Sequence, residues 1–250
     1  MYRDFLVYGS KIGEDIINYA ILFPLSFGIS FVYLQANIFF THNDERFGTM
    51  LFAGNVLIPM MVMAYKITFD LVFDMEKNRF INYQICILSP RLVIIQKILF
   101  AGLYTFFVTM LFFPASKLIL DGSFYTDQAS WVKVALIVLF GSLSTAAYHQ
   151  FFAALITMDQ IGMFWVRVNY VIMVLGGAFV PIKSIEDYSP LLGKLILINP
   201  LLYVTEGVRG ALLNSDEFLS FTTCLIMLIV TTVIALFATW YVFKRRVDHI

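Results

Sequence analysis

The chain has 250 residues, of which 60% are hydrophobic and 14% are charged, and its formal net charge is zero. A soluble globular domain carries about 25% charged residues, so this chain has too few charges to cover a water-exposed surface. Disordered chains combine low hydrophobicity with high net charge, and nothing in the charge balance points to a nucleic-acid partner. The composition therefore indicates an all-α integral membrane protein, with one transmembrane domain over residues 1–250.

The N-terminal residues 3–17 are predicted to form an amphipathic helix that lies flat in the membrane interface. Helical spacing gives this segment two faces. The apolar face consists of Phe5, Tyr8, Ile12 and Ile16, and the charged face consists of Asp4, Lys11 and Asp15. The alternative is that this segment forms the first turns of a long first span. No short basic region precedes the apolar stretch, so a cleaved signal peptide is not expected.

Six apolar segments are candidates to cross the bilayer, which takes about 20 apolar residues of helix. These spans are residues 18–40, 49–72, 94–118, 132–157, 163–181 and 218–242. The fifth reaches full length only if Arg167 lies at the membrane edge and extends its charged end towards water. An even number of spans places both termini on one side, and the Lys and Arg distribution, above all Lys244-Arg245-Arg246, makes that side cytoplasmic. We expect a multi-pass protein of the bacterial cytoplasmic (inner) membrane.

Residues 74–91 connect the second and third spans on the cytoplasmic side and are predicted to contain a short exposed helix. Its charged start consists of Asp74, Glu76 and Arg79. Its apolar face consists of Ile81, Ile85 and Leu88. Pro90 ends this helix, because the residue before a proline resists helical geometry. A helix fixed between two spans can carry force from a soluble partner into the membrane. The alternative is an interfacial connector without such a role.

Residues 182–217 lie outside and are predicted to form a re-entrant hairpin of two short helices, since the uncharged run 195–205 is too short to span. Asn199 is expected as the N-cap of the second helix, with Pro200 in its first turn. Glu206 and Arg209 are three residues apart on that helix and can pair. A structural ion pair is the favoured interpretation over a catalytic one.

Polar residues inside the spans are candidate functional residues. Lys66 and Asp70 are four residues apart in the second span and are predicted to pair. His149 and Gln150 follow a stretch of small residues in the fourth span, which indicates a close helix contact; a place on a translocation path is the sharper alternative. The many aromatic residues either form belts at the membrane interfaces or line that path. Asp159 and Arg167 are interpreted as interface anchors.

ATP chemistry is expected on another chain, because Gly193-Lys194 lacks both the first glycine and the Ser or Thr of a phosphate-binding loop. Cys86 and Cys224 form neither a disulfide framework nor a metal-binding pattern. No metal or other cofactor is therefore assigned to this chain.

The C-terminal part resembles the signature of the type-2 export-permease family of ATP-binding-cassette (ABC) transporters. The residues that carry the resemblance are Gly176 to Pro181, Pro190, Asn199-Pro200-Leu201-Leu202-Tyr203, Glu206 and Arg209. Asp74-Met75-Glu76, followed by Leu88-Ser89-Pro90 and Lys97, is similar to the loop of that family that carries its coupling helix. Residues 78–82 depart from the Gly-Thr-Leu-Glu stretch that members often carry there.

The resemblance implies a homodimer or heterodimer of six-span chains with two separate ABC ATPase subunits, which hold the ATP and Mg. It implies export of a lipid-linked glycan, another amphiphile or a drug. The signature residues of 181–209 would then form an external gate. Two other classes stay open: an intramembrane lipid-modifying enzyme, although His149 has no acidic neighbour at helical spacing, and a non-catalytic assembly subunit. A neighbouring reading frame for an ATPase with a phosphate-binding loop would discriminate between them.

Overall fold

The computed structural model describes residues 2–27, 30, 45–77, 84, 86–120, 124–215 and 217–247. In this part of the chain the regular structure is helical. The α-helices are α1 (Tyr2–Gly9), α2 (Ile12–Asp15), α3 (Phe23–Phe27), α4 (Glu45–Asn55), α5 (Leu57–Glu76), α6 (Pro90–Leu120), α7 (Trp131–Leu155), α8 (Ile161–Phe164), α9 (Tyr170–Leu175), α10 (Ile182–Tyr188), α11 (Pro190–Ile196), α12 (Leu202–Leu213) and α13 (Phe221–Val247). Two π-helical segments, Ile16–Leu22 and Trp165–Asn169, join α2 to α3 and α8 to α9, and Met158–Gln160 is a 3₁₀ turn.

Four helical stretches are long and apolar enough to cross a membrane. They are Gly48–Glu76, Pro90–Leu118, Trp131–Leu155 and Phe221–Arg246. They coincide with the predicted second, third, fourth and sixth spans, so the all-helical membrane class is confirmed. The count of six spans stays a prediction. Most of the predicted first span lies outside the described residues, since only residues up to 27 and residue 30 belong to them.

The predicted fifth span is shorter in the structure than in the sequence analysis. Its helix runs through α8, the π-helical segment and α9 and ends at Gly176, not at Pro181. Gly177 has φ +73°, which favours glycine, and a Cβ on Gly176 would lie 3.0 Å from Leu201 Cβ. At about 1.5 Å per residue this helix rises roughly 22 Å, less than the hydrocarbon thickness of about 30 Å.

Helix α7 is the centre of the fold and packs against α5, α6, α12 and α13. Its small residues allow close approach, as the sequence analysis predicted. A Cβ on Gly141 would lie 2.9 Å from Val204 of α12, and a Cβ on Gly102 of α6 would lie 3.1 Å from the Cα of Leu143. Two hydrophobic clusters result, one formed mainly by α4, α7 and α12, the other by α5, α6 and α7.

The N-terminal segment presents its polar face to the protein and its apolar face outward. It breaks at Ser10 and Lys11 instead of running as one helix over 3–17, and Asp4, Tyr8 and Asp15 are buried. Phe5 is 66% exposed. A buried polar face and an outward apolar face are what a lipid environment favours, because charged groups at membrane depth are stable only when they are paired inside the protein.

Candidate functional site

Two groups of buried charged side chains lie at opposite ends of the helical bundle, and the first joins the N-terminal segment to α5 and α6. Lys97 of α6 lies between two carboxylates: its Nζ is 3.2 Å from Asp4 Oδ1 and 3.6 Å from Asp74 Oδ2. All three side chains are almost completely buried. The predicted coupling residue Asp74 therefore belongs to the interior instead of an exposed docking face.

Two further contacts follow along α5. Lys66 Nζ lies 2.6 Å from Asp15 Oδ1, and Tyr104 OH donates to the other oxygen of Asp15 at 2.7 Å. Tyr8 OH donates to Asp70. Burial, with the charge of Asp70 adding to it, raises the pKa of Tyr8 well above its usual range, so the phenol stays protonated and acts as the donor.

These contacts correct the predicted Lys66–Asp70 pair, because each of the two residues is bound by the N-terminal segment instead. Positions 66, 70 and 74 are each one helical turn apart and form one stripe on α5. We name the set the polar ladder: Asp4, Tyr8 and Asp15, bound to Lys66, Asp70, Asp74 and Lys97. On α5 the ladder ends at Asp74, the first residue of the predicted coupling segment.

A second junction, the Glu76–Arg246 clamp, joins the ends of α5, α7 and α13. Arg246 Nη2 lies 2.8 Å from Glu76 Oε1, and Arg246 Nη1 donates to the carbonyls of Ala154 and Ile156 at 3.1 and 3.0 Å. The other carboxylate oxygen of Glu76 accepts from Met158 N at 3.1 Å. Arg246 thus satisfies carbonyls that the C-terminus of α7 leaves open. Glu76 is part of this junction. The sequence analysis used Arg246 only to orient the chain and did not identify it as a partner of Glu76.

The rest of the predicted coupling segment is described only in part. Arg79, Ile81 and Ile85 lie outside the described residues. Leu88 is exposed, and Pro90 opens α6 at its first turn, which is a favoured position for proline. The exposed surface next to these residues includes Ile87, which is 82% exposed and was not among the predicted coupling residues.

The second charged group is the predicted pair Glu206–Arg209 on α12. The pair is formed: Arg209 Nη1 lies 3.1 Å from Glu206 Oε1, and both side chains are completely buried. Arg209 also donates to two backbone carbonyls, from Nε to Met50 at 3.1 Å and from Nη2 to Ala178 at 3.4 Å. Glu206 Oε1 also accepts from Ile182 N at 3.2 Å. The pair therefore connects α12 to α4 and to both ends of the turn before α10.

Gly54 makes this arrangement possible. A Cβ at this position would overlap both Ala178 O and the Arg209 guanidinium. Thr205 of α12 holds the same turn from the other side, because its hydroxyl donates to Gly176 O at 2.8 Å. A small residue on α4 and two polar residues on α12 thus fix the end of α9 against these two helices.

The segment 182–217 differs in detail from the predicted hairpin. It contains three short helices, α10, α11 and α12, instead of two. Pro181 precedes α10, and Pro190 opens α11, where Ser189 Oγ caps Leu192 N. The re-entrant path of the segment stays a prediction.

Asn199 and Pro200 lie just before α12, whose first residue is Leu202. The residue adjoining the helix is Leu201, so the predicted cap position of Asn199 is wrong by two residues. Asn199 Oδ1 nevertheless accepts from Leu201 N at 3.0 Å, while its Nδ2 donates to Ile172 O at 2.6 Å. Asn199 therefore ties the start of α12 to α9, which the sequence pattern alone did not indicate.

His149 is completely buried in α7, and both of its ring nitrogens are engaged. Nδ1 lies 2.8 Å from Thr145 O, and Nε2 lies 3.0 Å from Asn169 Nδ2. This pattern assigns the neutral ring with the proton on Nδ1. The amide of the neighbouring Gln150 is buried without a hydrogen-bond partner within the described part of the chain. A place of either residue on a translocation path stays a prediction.

Among the described residues, no group of His, Cys, Asp and Glu side chains is arranged to hold a metal ion. A comparison with protein-family models finds a match over residues 2–213 to the family described as ABC-2 type transporter. No curated protein and no solved structure matches the chain.

Proposed function

The chain belongs to the ABC-2 type transporter family, and from that premise we propose that it is the permease subunit of an ATP-driven exporter of an amphipathic substrate. The substrate classes that fit are a lipid-linked glycan, a lipid or a drug. The observation that carries the proposal is the family match, which begins at the N-terminal helix and ends at the last residue of α12. Membrane domains of this family work with ABC ATPase subunits, which supply the hydrolysis that this chain has no phosphate-binding loop to perform.

The cytoplasmic end supports a coupling role for the segment between α5 and α6. A segment transmits force only if its two ends are fixed to the body that must move. Here the polar ladder fixes the end of α5 through Asp74 and the start of α6 through Lys97. The Glu76–Arg246 clamp extends that connection to α7 and α13. We propose that ATPase docking on residues 77–89 is passed to four helices through these contacts.

The opposite end supports a gate formed by α10, α11 and α12. Arg209 is the one described side chain that joins the Glu206 carboxylate, the Ala178 turn and α4 at Met50. A movement of α12 away from α4 and from the Ala178 turn would break the two charge-assisted hydrogen bonds of Arg209 to Met50 and Ala178 together. Such a contact acts as a switch between two states instead of a graded hinge, which is the behaviour that an outer gate needs.

The enzyme alternative finds less support in the geometry. A lipid-modifying enzyme needs a free base or nucleophile in an accessible site. Both ring nitrogens of His149 are bound to neighbouring groups, and the ring is enclosed by Tyr65, Phe69, Tyr148 and Phe164.

Two experiments test the proposal. The first is co-purification of an ABC ATPase with the tagged chain, followed by lipid and glycan profiling of cells that lack the chain. Loss of one exported amphiphile, together with ATPase recovery, is the expected result. A chain that purifies without any ATPase and leaves all profiles unchanged would contradict the transport function.

The second experiment tests the orientation. Cysteines introduced at Ser184 and Ser215 should react with an impermeant thiol reagent in intact cells, since 182–217 is proposed to lie outside. Labelling only after permeabilisation would reverse the orientation and place the termini outside. Cross-linking of the purified chain in its complex distinguishes the proposed homodimer from a heterodimer.

A further inference from the structure

The N-terminal segment and α6 enclose a groove with an apolar lining. Phe5, Leu6 and Ile12 form one side of it, and Leu103 and Phe107 belong to the other. Its volume is about 610 Å³, within the range of roughly 300–1,000 Å³ that is usual for pockets that bind small molecules. The convex apolar faces of the spans meet lipid everywhere, whereas this surface is concave.

The polar groups of the groove are already used inside the protein. Ser10 Oγ donates to Val7 O at 2.9 Å, and Tyr104 OH donates to Asp15. The polar ladder turns Asp4, Tyr8 and Asp15 away from the groove towards α5 and α6. The described side chains of the lining therefore offer no free donor to an occupant, which favours an occupant that is apolar where it lies in the groove.

A single cation lies beside this apolar lining in the sequence. Lys11 is exposed and stands between Ser10 and Ile12, both of which line the groove. An apolar groove with a lysine next to it complements a molecule that has a hydrocarbon chain and an anionic head. Lysines near a membrane surface are attracted by anionic phospholipids for the same reason.

We propose that this groove holds one acyl chain of an anionic glycerophospholipid of the surrounding membrane, with Lys11 binding the phosphate. The site is separate from the coupling segment and from α12. It rests on the membrane character of the chain and not on the proposed export function.

Gly9 provides a direct test, because it lines the groove and a Cβ at this position has no heavy atom within 4 Å. Gly9→Phe therefore adds a ring at the edge of the groove without a clash at its Cβ. Gly13→Phe is the matched control, since Gly13 has the same open surroundings and does not line the groove. Leu103→Trp fills the groove from α6 and serves as a second variant.

The experiment uses the full chain in proteoliposomes that contain phosphatidylglycerol with a photoreactive diazirine in one acyl chain. Adducts are mapped by mass spectrometry. The expected result is enrichment of adducts on residues 5–12 and 100–107 over the outward face of α13. Gly9→Phe and Leu103→Trp should reduce these adducts to the level on α13, while Gly13→Phe should leave them unchanged.

The head-group contact is tested with Lys11→Gln. Labelling by the phosphatidylglycerol probe should fall, and labelling by a phosphatidylcholine probe with the same acyl chain should not. Equal adducts on the groove and on α13, or no effect of either filling variant in protein that elutes as the parent does, would overturn the proposal. Cross-linking from a cysteine at Phe107 to a second protein chain would also overturn it, since the groove would then be a protein interface.

Discussion

Replacement of Arg209 by alanine is expected to be the most damaging single change at the end of the bundle where α12 meets α4. The side chain is completely buried, and its removal leaves the Glu206 carboxylate without its cation. Breaking a buried ion pair by removing one partner costs about 3–5 kcal/mol. The carbonyls of Met50 and Ala178 lose a donor as well, and a buried group that is left unpaired adds about 1–3 kcal/mol unless water enters.

The magnitude can be converted into a measurable shift. For a domain of 150–250 residues, 1 kcal/mol corresponds to about 2–4 °C in melting temperature, so the ion pair alone predicts a decrease of roughly 6–20 °C. Thermal unfolding of the detergent-purified chain, followed by near-ultraviolet circular dichroism, measures it. Arg167→Ala is the matched control, because Arg167 is exposed in the π-helical segment and its loss leaves no buried charge.

A double replacement separates the unpaired charge from lost contacts. Glu206→Gln with Arg209→Gln leaves no buried charge, so it should melt at a higher temperature than Arg209→Ala. Gly54→Ala should reproduce part of the Arg209→Ala loss, because its Cβ overlaps the guanidinium, whereas Gly210→Ala is tolerated, since its nearest heavy atom would be 3.6 Å away. Melting of Arg209→Ala within the range of Arg167→Ala would refute the assignment of a buried, stabilising pair.

The sequence was sufficient to predict the contacts between residues close in the chain. The apolar stretches predicted the four long helices, and spacing by three residues predicted the Glu206–Arg209 pair. The small residues before His149 predicted the close packing of α7. Each of these follows from helical periodicity, which is a local property of the chain.

The contacts between distant residues could not be predicted in this way. Lys66 has Asp70 one turn away, but Asp15 binds it from another helix. Arg246 and Glu76 are 170 residues apart. For two opposite charges one turn apart on a helix, a local pair is the best available inference. It fails when the fold places a charged residue of another element next to one of them. A single sequence contains no signal for that tertiary contact.

One missed feature did have a signal in the sequence. The helix of the predicted fifth span ends at Gly176 and Gly177, and glycine is the usual residue at a helix C-terminus. The sequence analysis took these glycines as part of the span because the run up to Val180 is apolar. In the structure the turn that they form accepts hydrogen bonds from Thr205 and Arg209, so the backbone there has polar partners that hydropathy does not detect.

The remaining predictions concern contacts between separate elements. Asn199→Ala should harm export less than Arg209→Ala, because it removes neutral hydrogen bonds worth about 1 kcal/mol each. It should spare ATPase binding, because Asn199 lies at the end remote from the coupling segment. Equal loss of export in both variants would contradict this order. Arg246→Ala should lower the free energy of unfolding by about 1–3 kcal/mol and reduce transport per ATP hydrolysed. Arg245→Ala is the control, since Arg245 lies over the Tyr241 ring at 4.3 Å instead of in the clamp. An unchanged transport-to-hydrolysis ratio would exclude the clamp from coupling.

The last prediction tests the polar ladder by a double-mutant cycle between Asp15 and Lys66. Lys66→Asp alone places a carboxylate beside the buried Asp15 and should destabilise the chain strongly, whereas the exchange Asp15→Lys with Lys66→Asp restores opposite charges and should recover part of the loss. Contacting residues show interaction energies of about 0.5–3 kcal/mol in such cycles, and the Tyr104 hydroxyl, which donates to Asp15, limits the recovery because a lysine cannot accept its proton. Additive effects of the two replacements would mean that the N-terminal segment is not held by this contact, and the orientation that places its apolar face outward would lose its physical basis.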